Sequence, residues 1–313
     1  MKKDGILVVG SSNTDMIITL DRLPKPGETL MGRRFVTAAG GKGANQAVGA
    51  ARAGGRVTLV ARLGRDMFGD QALAGFIKDG INTDFIQRDR DLPSGAALIF
   101  VAKAGENCIA VASGANGKLC PADVRRARPA FAHAAVLLTQ LETPLPTVQA
   151  AVDLAAACGM RVILNPAPAR PLPDRLLRRV FLITPNETEA GLLTGIRVDG
   201  AAAAARAADK LLARGVQAVI ITLGAKGAFA AYQGRRQLVP GFKMKAVDTT
   251  AAGDVFNGAL AVALAEGQPM AQAIRFANAA AAISVTRLGA QPSAPKRGEI
   301  MRLLAKGGNN EDR

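Results

Sequence analysis

Short apolar runs, each closed by glycine or by a polar cluster, alternate along most of the chain with longer stretches whose apolar positions fall at helical spacing. Residues 6–10, 57–63, 135–140, 161–165, 180–184 and 218–223 read as strands. Each is too short for a helix, and most are near-continuous runs of Val, Ile and Leu, as in strands covered on both faces. Helices are predicted at about 38–53, 69–78, 121–132, 144–158, 186–195, 201–214, 253–266 and 270–286, with a short terminal one. The helix at 201–214 is very Ala-rich, which needs no disorder to explain it, since Ala is the best helix former. This alternation predicts an α/β fold, a doubly wound and mainly parallel sheet flanked by helices.

Two segments break the alternation with strands alone. Residues 17–19 and 29–37 bracket a loop with Pro24, Pro26 and Gly27. Residues 96–102 and 107–112 flank Lys103-Ala104-Gly105-Glu106 as a β-hairpin. Insertions at about 14–39 and 95–112 are therefore expected to form a small separate sheet that covers a site as a lid. A further hairpin is expected at 228–239 with Gly234 at its turn. No internal repeat or linker is evident, so residues 1–313 read as a single α/β domain. The polar tail from Gly307 is expected to fray.

Loops that follow parallel strands converge on one edge of a sheet. That places Asn13, Asp15, Glu142, Asn186 and residues 224–227 near one another and near Asp254. Asn13 and Asp15 are two apart and face the same way on an extended segment. They are a pair suited to gripping vicinal hydroxyls, or simply turn residues. The string Ala38-Ala39-Gly40-Gly41-Lys42-Gly43-Ala44-Asn45-Gln46-Ala47 has neither Walker A spacing nor the third glycine of a dinucleotide motif, since Gln46 stands there. Its glycines let backbone approach a ligand, or only make a turn. Asn186 with Glu189 three residues on has the pattern of a capping box. At Ala251-Ala252-Gly253-Asp254, small residues open an apolar helix and leave amides bare for an anion. Asp254 is then either a general base beside that anion or an ordinary first-turn acid.

Composition narrows the classes. Half of the residues are hydrophobic and no apolar run reaches about 18 residues, so a folded protein with no membrane span or signal peptide is expected. Three scattered cysteines suggest a reducing, cytoplasmic setting without a zinc site, and His133 is the only histidine. The net charge of +15 raises nucleic acid as a partner. The basic residues are scattered, however, and one Tyr with no Trp leaves few stacking platforms, so neither nucleic acid nor membrane is expected as a partner.

Six motifs in chain order resemble the ribokinase/phosphofructokinase-B family of sugar kinases over about residues 5–305. They are Gly10-Ser11-Ser12-Asn13-Thr14-Asp15; Gly40-Gly41-Lys42-Gly43-Ala44-Asn45-Gln46-Ala47; Asn165-Pro166-Ala167-Pro168-Ala169; Thr184-Pro185-Asn186-Glu187-Thr188-Glu189; Thr222-Leu223-Gly224-Ala225-Lys226-Gly227; and Asp248 through Ala259. The resemblance implies ATP-dependent phosphorylation of D-ribose at its 5-hydroxyl. It implies Asp254 as base and Ala251, Ala252 and Gly253 as an anion hole. Asn13, Thr14, Asp15, Gly41, Lys42, Gly43, Ala44, Asn45 and Glu142, with Asp254, would hold the sugar. Asn186, Thr222, Leu223, Gly224, Ala225, Lys226, Gly227 and Asn278, with Gly253 and Asp254, would hold ATP. Glu189 would act on Mg2+ through water. Asp248, Thr250, Ser284, Arg287, Gly289 and Ser293 would hold a monovalent cation, K+, several of them through backbone carbonyls. Pairing into a homodimer through the lid is also implied. The alternatives are a 2-deoxyribose, nucleoside or fructose kinase of the same family and, from other classes, a non-catalytic sugar sensor or a nucleic-acid-associated protein.

Overall fold

The computed structural model describes residues 3–308. The chain opens with β1 (Gly5–Val9), β2 (Asn13–Leu20), β3 (Arg34–Gly40), α1 (Lys42–Arg52), β4 (Val57–Gly64), α2 (Met67–Lys78), β5 (Ile86–Asp89), β6 (Gly95–Ala102) and β7 (Asn107–Ala112). It continues with α3 (Pro121–Arg126), α4 (Arg128–His133), β8 (Ala134–Thr139), α5 (Leu145–Ala157), β9 (Arg161–Leu164), α6 (Asp174–Leu177), β10 (Leu182–Ile183), α7 (Glu187–Thr194) and α8 (Ala201–Ala213). It ends with β11 (Ala218–Thr222), β12 (Ala228–Tyr232), β13 (Arg235–Val239), α9 (Ala252–Ala265), α10 (Met270–Ser284) and α11 (Arg297–Gly308).

The large sheet has the order β13-β12-β11-β10-β9-β8-β1-β4-β5. It is parallel from β11 to β5, and β12 and β13 add an antiparallel edge. Strand β1 shows why its run is apolar throughout. Ile6 and Val8 enter one core with α1, α9 and α10, while Leu7 and Val9 enter the other with α5 and α8. The chain leaves β1 toward β4 on one side and returns to it through β8 on the other. The loops after β1 and β8 therefore part at a topological switch point, where open α/β sheets form their crevice.

The two strand-only insertions form a separate sheet, β3-β2-β6-β7. Asp15 pairs with Ala38 on β3 and Ala97 on β6, so this sheet carries one wall of the crevice.

Several boundaries differ from expectation for local reasons. The strand expected at 29–37 begins at Arg34, because pairing with β2 runs only to Thr19 opposite Arg34. The helix expected at 121–132 breaks at Ala127. Pro129 two residues on has no N–H to give and its ring crowds the preceding turn. The sequence pattern does not predict strand β5, since Ile86 is its only apolar residue, or the one-turn α6 that follows the Pro-rich stretch. Helix α11 runs to Gly308, and the tail expected to fray lies otherwise outside the described residues.

Candidate active site

Four of the elements that meet at the crevice are placed by glycine. Gly40, Gly41 and Gly43 precede or open α1, and Gly41 has φ 87°. A Cβ on Gly43 would lie 2.5 Å from Ser11 N, one on Gly41 2.6 Å from Asn13 N, and one on Gly40 2.3 Å from the Asp15 carboxylate. These glycines seat the start of α1 directly on the β1–β2 connection. Glu142, after β8, joins the same junction. Its Oε2 accepts from Ser11 Oγ and from Lys42 N at 2.9 Å.

Asn116, between β7 and α3, pins the other side. It donates to Asn13 Oδ1 at 2.8 Å and exchanges hydrogen bonds with the backbone of Ser12. With its oxygen engaged, Asn13 has amide donors left to offer, beside the acceptor carboxylate of Asp15.

Helix α9 is buried on all sides and crosses α1 at very short range. A Cβ on Gly258 would lie 2.6 Å from both Ala50 N and Gln46 O. That crossing delivers Asn45 and Gln46 to Asp254. Asn45 Nδ2 donates to Asp254 Oδ2 at 3.0 Å, and Gln46 Nε2 donates to Oδ1 at 2.9 Å. Asp254 is only 6% exposed. Its carboxylate bonds to these two side chains of α1 and not to the amides of its own helix, so it is not a capping acid.

The helix has no side-chain cap. Its N-cap is Ala251, in left-handed backbone at φ 59° and ψ 12°, a conformation that costs a residue with a Cβ about 1–2 kcal/mol. Ala252 N reaches Thr249 O at 3.2 Å. The first-turn amides of Gly253 and Asp254 have no acceptor in the helix. A Cβ on Gly253 would meet nothing within 4 Å, so the space above this turn is open.

The electrostatics are unbalanced. Asp15, Glu142, Glu189 and Asp254 surround a single cation, Lys42. Burial lifts Asp254 above the ordinary carboxylate range, opposed by Lys42 and the bonds from Asn45 and Gln46. Burial, then Glu142 and Asp254, push Asp15 up to about 6. Burial pulls Lys42 down, but Asp254, Glu142, Glu189 and Asp15 together outweigh it and hold Lys42 above its usual value. A crevice so rich in negative charge accepts a polyphosphate only together with cations.

Beyond Gly253 an apolar cleft opens. It is lined by Thr222, Gly224, Ala225, Gly227, Phe242, Met244, Ala281, Ala282 and Val285, with Asn278 at its wall. Asn278 Nδ2 bridges the carbonyls of Val239 and Pro240 at 3.1 Å each, and so holds the cleft's rim. Asn186 sits beside Thr222 and completes the expected capping box with Glu189. Asn186 N donates to Glu189 Oε2 at 2.9 Å, which leaves Oε1 for other work.

Some of the expected residues turn their side chains elsewhere or leave little space beside them. Thr14 alternates with Asn13 and Asp15 on β2 and so takes the opposite face. Ala44 is fully buried in the core, and Leu223 is buried on the far side of the sheet. Lys226 is exposed and does not line the cleft. At Gly43 the place a Cβ would take is filled by the backbone of Gly10 and Ser11.

Segments 247–250 and 284–289 are drawn together. Val247 N donates to Val285 O at 2.7 Å and Gly289 N to Asp248 Oδ2 at 2.8 Å. Asp248 Oδ1 accepts from Thr250 N. Burial raises Asp248, but these bonds from Thr250 and Gly289 outweigh it and keep the carboxyl below its ordinary range. The side chains of Ser284, Ser293 and Arg287 are engaged with Ala281 O, Ala290 O and Glu299. Arg287 can offer a cation only its backbone carbonyl, whereas the two serine hydroxyls, as donors, keep lone pairs of their own. Among the described residues, no group of three or more His, Cys, Asp or Glu is arranged to hold a metal ion.

Reading motifs gave no role to the residues behind the base, although four of them, Gln46, Asn165, Thr184 and Asn257, lie within the motifs. Gln46, Asn116, Gln140, Asn165, Thr184 and Asn257 are all buried polar side chains. The available signal was a polar residue at a core position of an Ala-rich helix or at a strand end.

Comparison with known proteins gives a consistent result. The pfkB family carbohydrate kinase pattern matches residues 3–297. Ribokinase of Haemophilus influenzae is 46% identical over 299 residues, which cover 96% of this chain and 98% of the relative. Deoxyribokinase of Salmonella typhi is 38% identical over 291 residues, 93% of this chain and 95% of the relative. The solved structure of Arabidopsis thaliana ribokinase complexed with ribose and ATP is similar with a TM-score of 0.89 at 34% identity, covering 96% of this chain and 98% of that one.

Proposed function

The chain belongs to the pfkB family of carbohydrate kinases, and from that premise we propose that it transfers the γ-phosphoryl group of ATP to the 5-hydroxyl of D-ribose, giving D-ribose 5-phosphate. One observation carries the reading. A buried carboxylate, Asp254, stands at an uncapped helix start between a crevice of hydroxyl-binding groups and an apolar cleft.

In this reading Asn13, Asp15, Lys42, Asn45 and Glu142 hold the sugar. The cleft lined by Thr222, Gly224, Ala225, Gly227 and Asn278 takes the nucleotide. Asp254 accepts the hydroxyl proton as the oxygen attacks, work worth typically 10²–10⁴-fold in rate. The amides of Gly253 and Asp254 meet the charge that builds on the phosphoryl oxygens, each donor worth roughly 3–4 kcal/mol. The β3-β2-β6-β7 sheet acts as a lid that excludes competing water.

Magnesium would enter with ATP and be held mainly by its phosphates, with Glu189 Oε1 reaching it through water, and would offset the crevice's negative charge. K+ would sit among the carbonyls of residues 248, 250, 284, 287, 289 and 293, which the hydrogen bonds of Asp248 gather. In the same reading the chain is one kinase domain that works in the cytoplasm. The lid would pair into a homodimer; its exposed apolar residues lie on both faces, Ile109 and Val111 on the face of Asp15 and Phe35 and Leu98 on the other.

Two measurements test this. Asp254→Asn keeps the fold and ATP binding but loses about 10³-fold or more in kcat; near-normal turnover refutes the reading. A panel of pentoses and hexoses with ATP, compared by kcat/KM, should favour D-ribose. The similarity to a deoxyribokinase supports 2-deoxyribose as the second reading, since one lost hydroxyl contact costs only about 1–3 kcal/mol. A larger kcat/KM for 2-deoxyribose would select it.

A further inference from the structure

The base does not stand alone. Gln46 Nε2 makes two bonds, one to Asp254 Oδ1 and one to Asn165 Oδ1, each 2.9 Å. Gln140 Nε2 donates to Gln46 Oε1, which fixes the Gln46 amide with its NH2 toward the base. Asn165 Nδ2 donates to Thr184 O at 3.0 Å. Thr184 Oγ1 donates to Asn257 Oδ1 at 2.6 Å, and Asn257 Nδ2 donates to Gly253 O at 2.8 Å. Gln46, Gln140, Asn165, Thr184 and Asn257 are each 6% exposed or less.

The ends of β8, β9 and β10 are thus joined by side chains that lead to two adjacent residues in the first turn of α9. One arm reaches the Asp254 carboxylate and the other the carbonyl of Gly253. The oxygens of Gln46, Asn165 and Asn257 each accept from a donor of the chain, which fixes those three amides, while Gln140 Oε1 at the head of the chain is buried without a partner. Buried amides in such numbers cost stability unless all are satisfied, so the arrangement is expensive to keep for packing alone.

We infer that Gln46 is a positioning residue for the base, which holds Asp254 ionised and aimed at the acceptor hydroxyl, and that Gln140 and Asn165 act through it. The inference rests on the proposed role of Asp254. The charged groups facing that carboxylate are Lys42 on α1, Glu142 after β8, Asp15 on β2 and Glu189 on α7. None of them is altered by changing Gln46. The Gln46 bond favours the ionised form, so its loss moves the base's titration upward.

The test is the pH profile of kcat/KM for the sugar, with thermal melts alongside. Gln46→Met keeps the length of the side chain and removes its hydrogen bonds. At about pH 7.5 it should lose roughly 30-fold in kcat, with both KM values within about threefold. The acid limb should move up by about one pH unit. Gln46→Glu puts a carboxylate against a carboxylate and should move the limb further still. Gln140→Leu unlocks the amide without touching the base and should shift the limb in the same direction by less. It decides the matter if the Gln46 variants do not melt cooperatively.

A merely structural role lowers the melting temperature and leaves the limb in place, and that outcome overturns the inference. An Asp254→Asn variant as active as the parent overturns the kinase assignment of Asp254 instead. An inactive Asp254→Asn with an unshifted Gln46→Met overturns only the role of Gln46.

Discussion

Helices α1 and α9 meet at the site with starts that look alike and work differently. Each begins with a positive-φ N-cap, Gly41 at φ 87° and Ala251 at φ 59°, and neither has a side-chain cap. Each has glycine at the second helical position, Gly43 and Gly253. At Gly43 the missing Cβ is replaced by the chain itself, with Ser11 N and Gly10 C within 2.6 Å of where it would be. At Gly253 nothing of the protein comes within 4 Å. The first glycine is required by packing and the second keeps a space open. Helix α7 is the counter-example, with Asn186 and Glu189 closing its first turn on itself. A helix start becomes an anion site when its amides are bare and the volume over them is empty, and small residues alone do not distinguish the two cases.

The largest effect expected from breaking this comparison is on folding. Gly43→Ala drives a methyl into backbone at α1 and should cost about 3 kcal/mol, with sugar binding lost as the β1–β2 connection shifts. A chemical denaturation curve checks it, and a variant as stable as the parent would mean that the two starts are not packed as described. Gly253→Ala should do the reverse. Replacing a helical glycine favours the fold by about 0.5–1 kcal/mol, so the midpoint should hold or rise. The new methyl occupies the space over the bare amides, and kcat should fall about 100-fold, as when one oxyanion donor is removed. Unchanged kcat with normal stability would show that no reacting group passes over that turn.

Much of this was legible in the sequence, and the rest was not for definite reasons. The parallel sheet announced itself through strands such as β1, apolar on both faces because each face has its own core. The convergence of Asn13, Asp15, Glu142, Asn186 and residues 224–227 toward Asp254 followed from loop placement. What the motifs did not reveal was which way each side chain within them faces. Thr14, Ala44 and Leu223 lie in functional strings, yet alternation on a strand or burial against the core turns them away. The glycines before and in α1 were read as close approach to a ligand or as a plain turn, and the structure shows close approach to the chain itself at residues 10–15. The support of Asp254 was invisible because it depends on α1 crossing α9 at Gly258, a tertiary distance that no local pattern encodes. Gln46 was noticed only as a glycine that was absent.

The smallest effect concerns the crevice that both starts share, and it separates binding from stability at one residue. Asp15 titrates at about 6, raised from 3.8 by burial and by Glu142 and Asp254. An ionised Asp15 accepts from sugar hydroxyls and a protonated one does so poorly. The sugar KM should therefore rise as pH falls through about 6, by about tenfold per unit below it. The stability of the ligand-free protein has the opposite sign. A carboxyl whose folded pKa is raised contributes stability that is complete below its unfolded value and lost as pH rises through the folded one, here between about 4 and 6. Ionised Asp15 then weakens the fold at neutral pH by about 2 kcal/mol, and Asp15→Asn should recover that amount at about pH 7.5 and little at about pH 3. The same variant should raise the sugar KM by about 10–100-fold, since a hydrogen bond to a charged group is worth about 1.5–3 kcal/mol. Melts at the two pH values, with sugar KM at the higher one, decide the matter. An Asp15→Asn protein no more stable than the parent at neutral pH would mean that the acid is already satisfied before the sugar arrives. The crevice would then be a packed junction like the start of α1, not an open one like the start of α9.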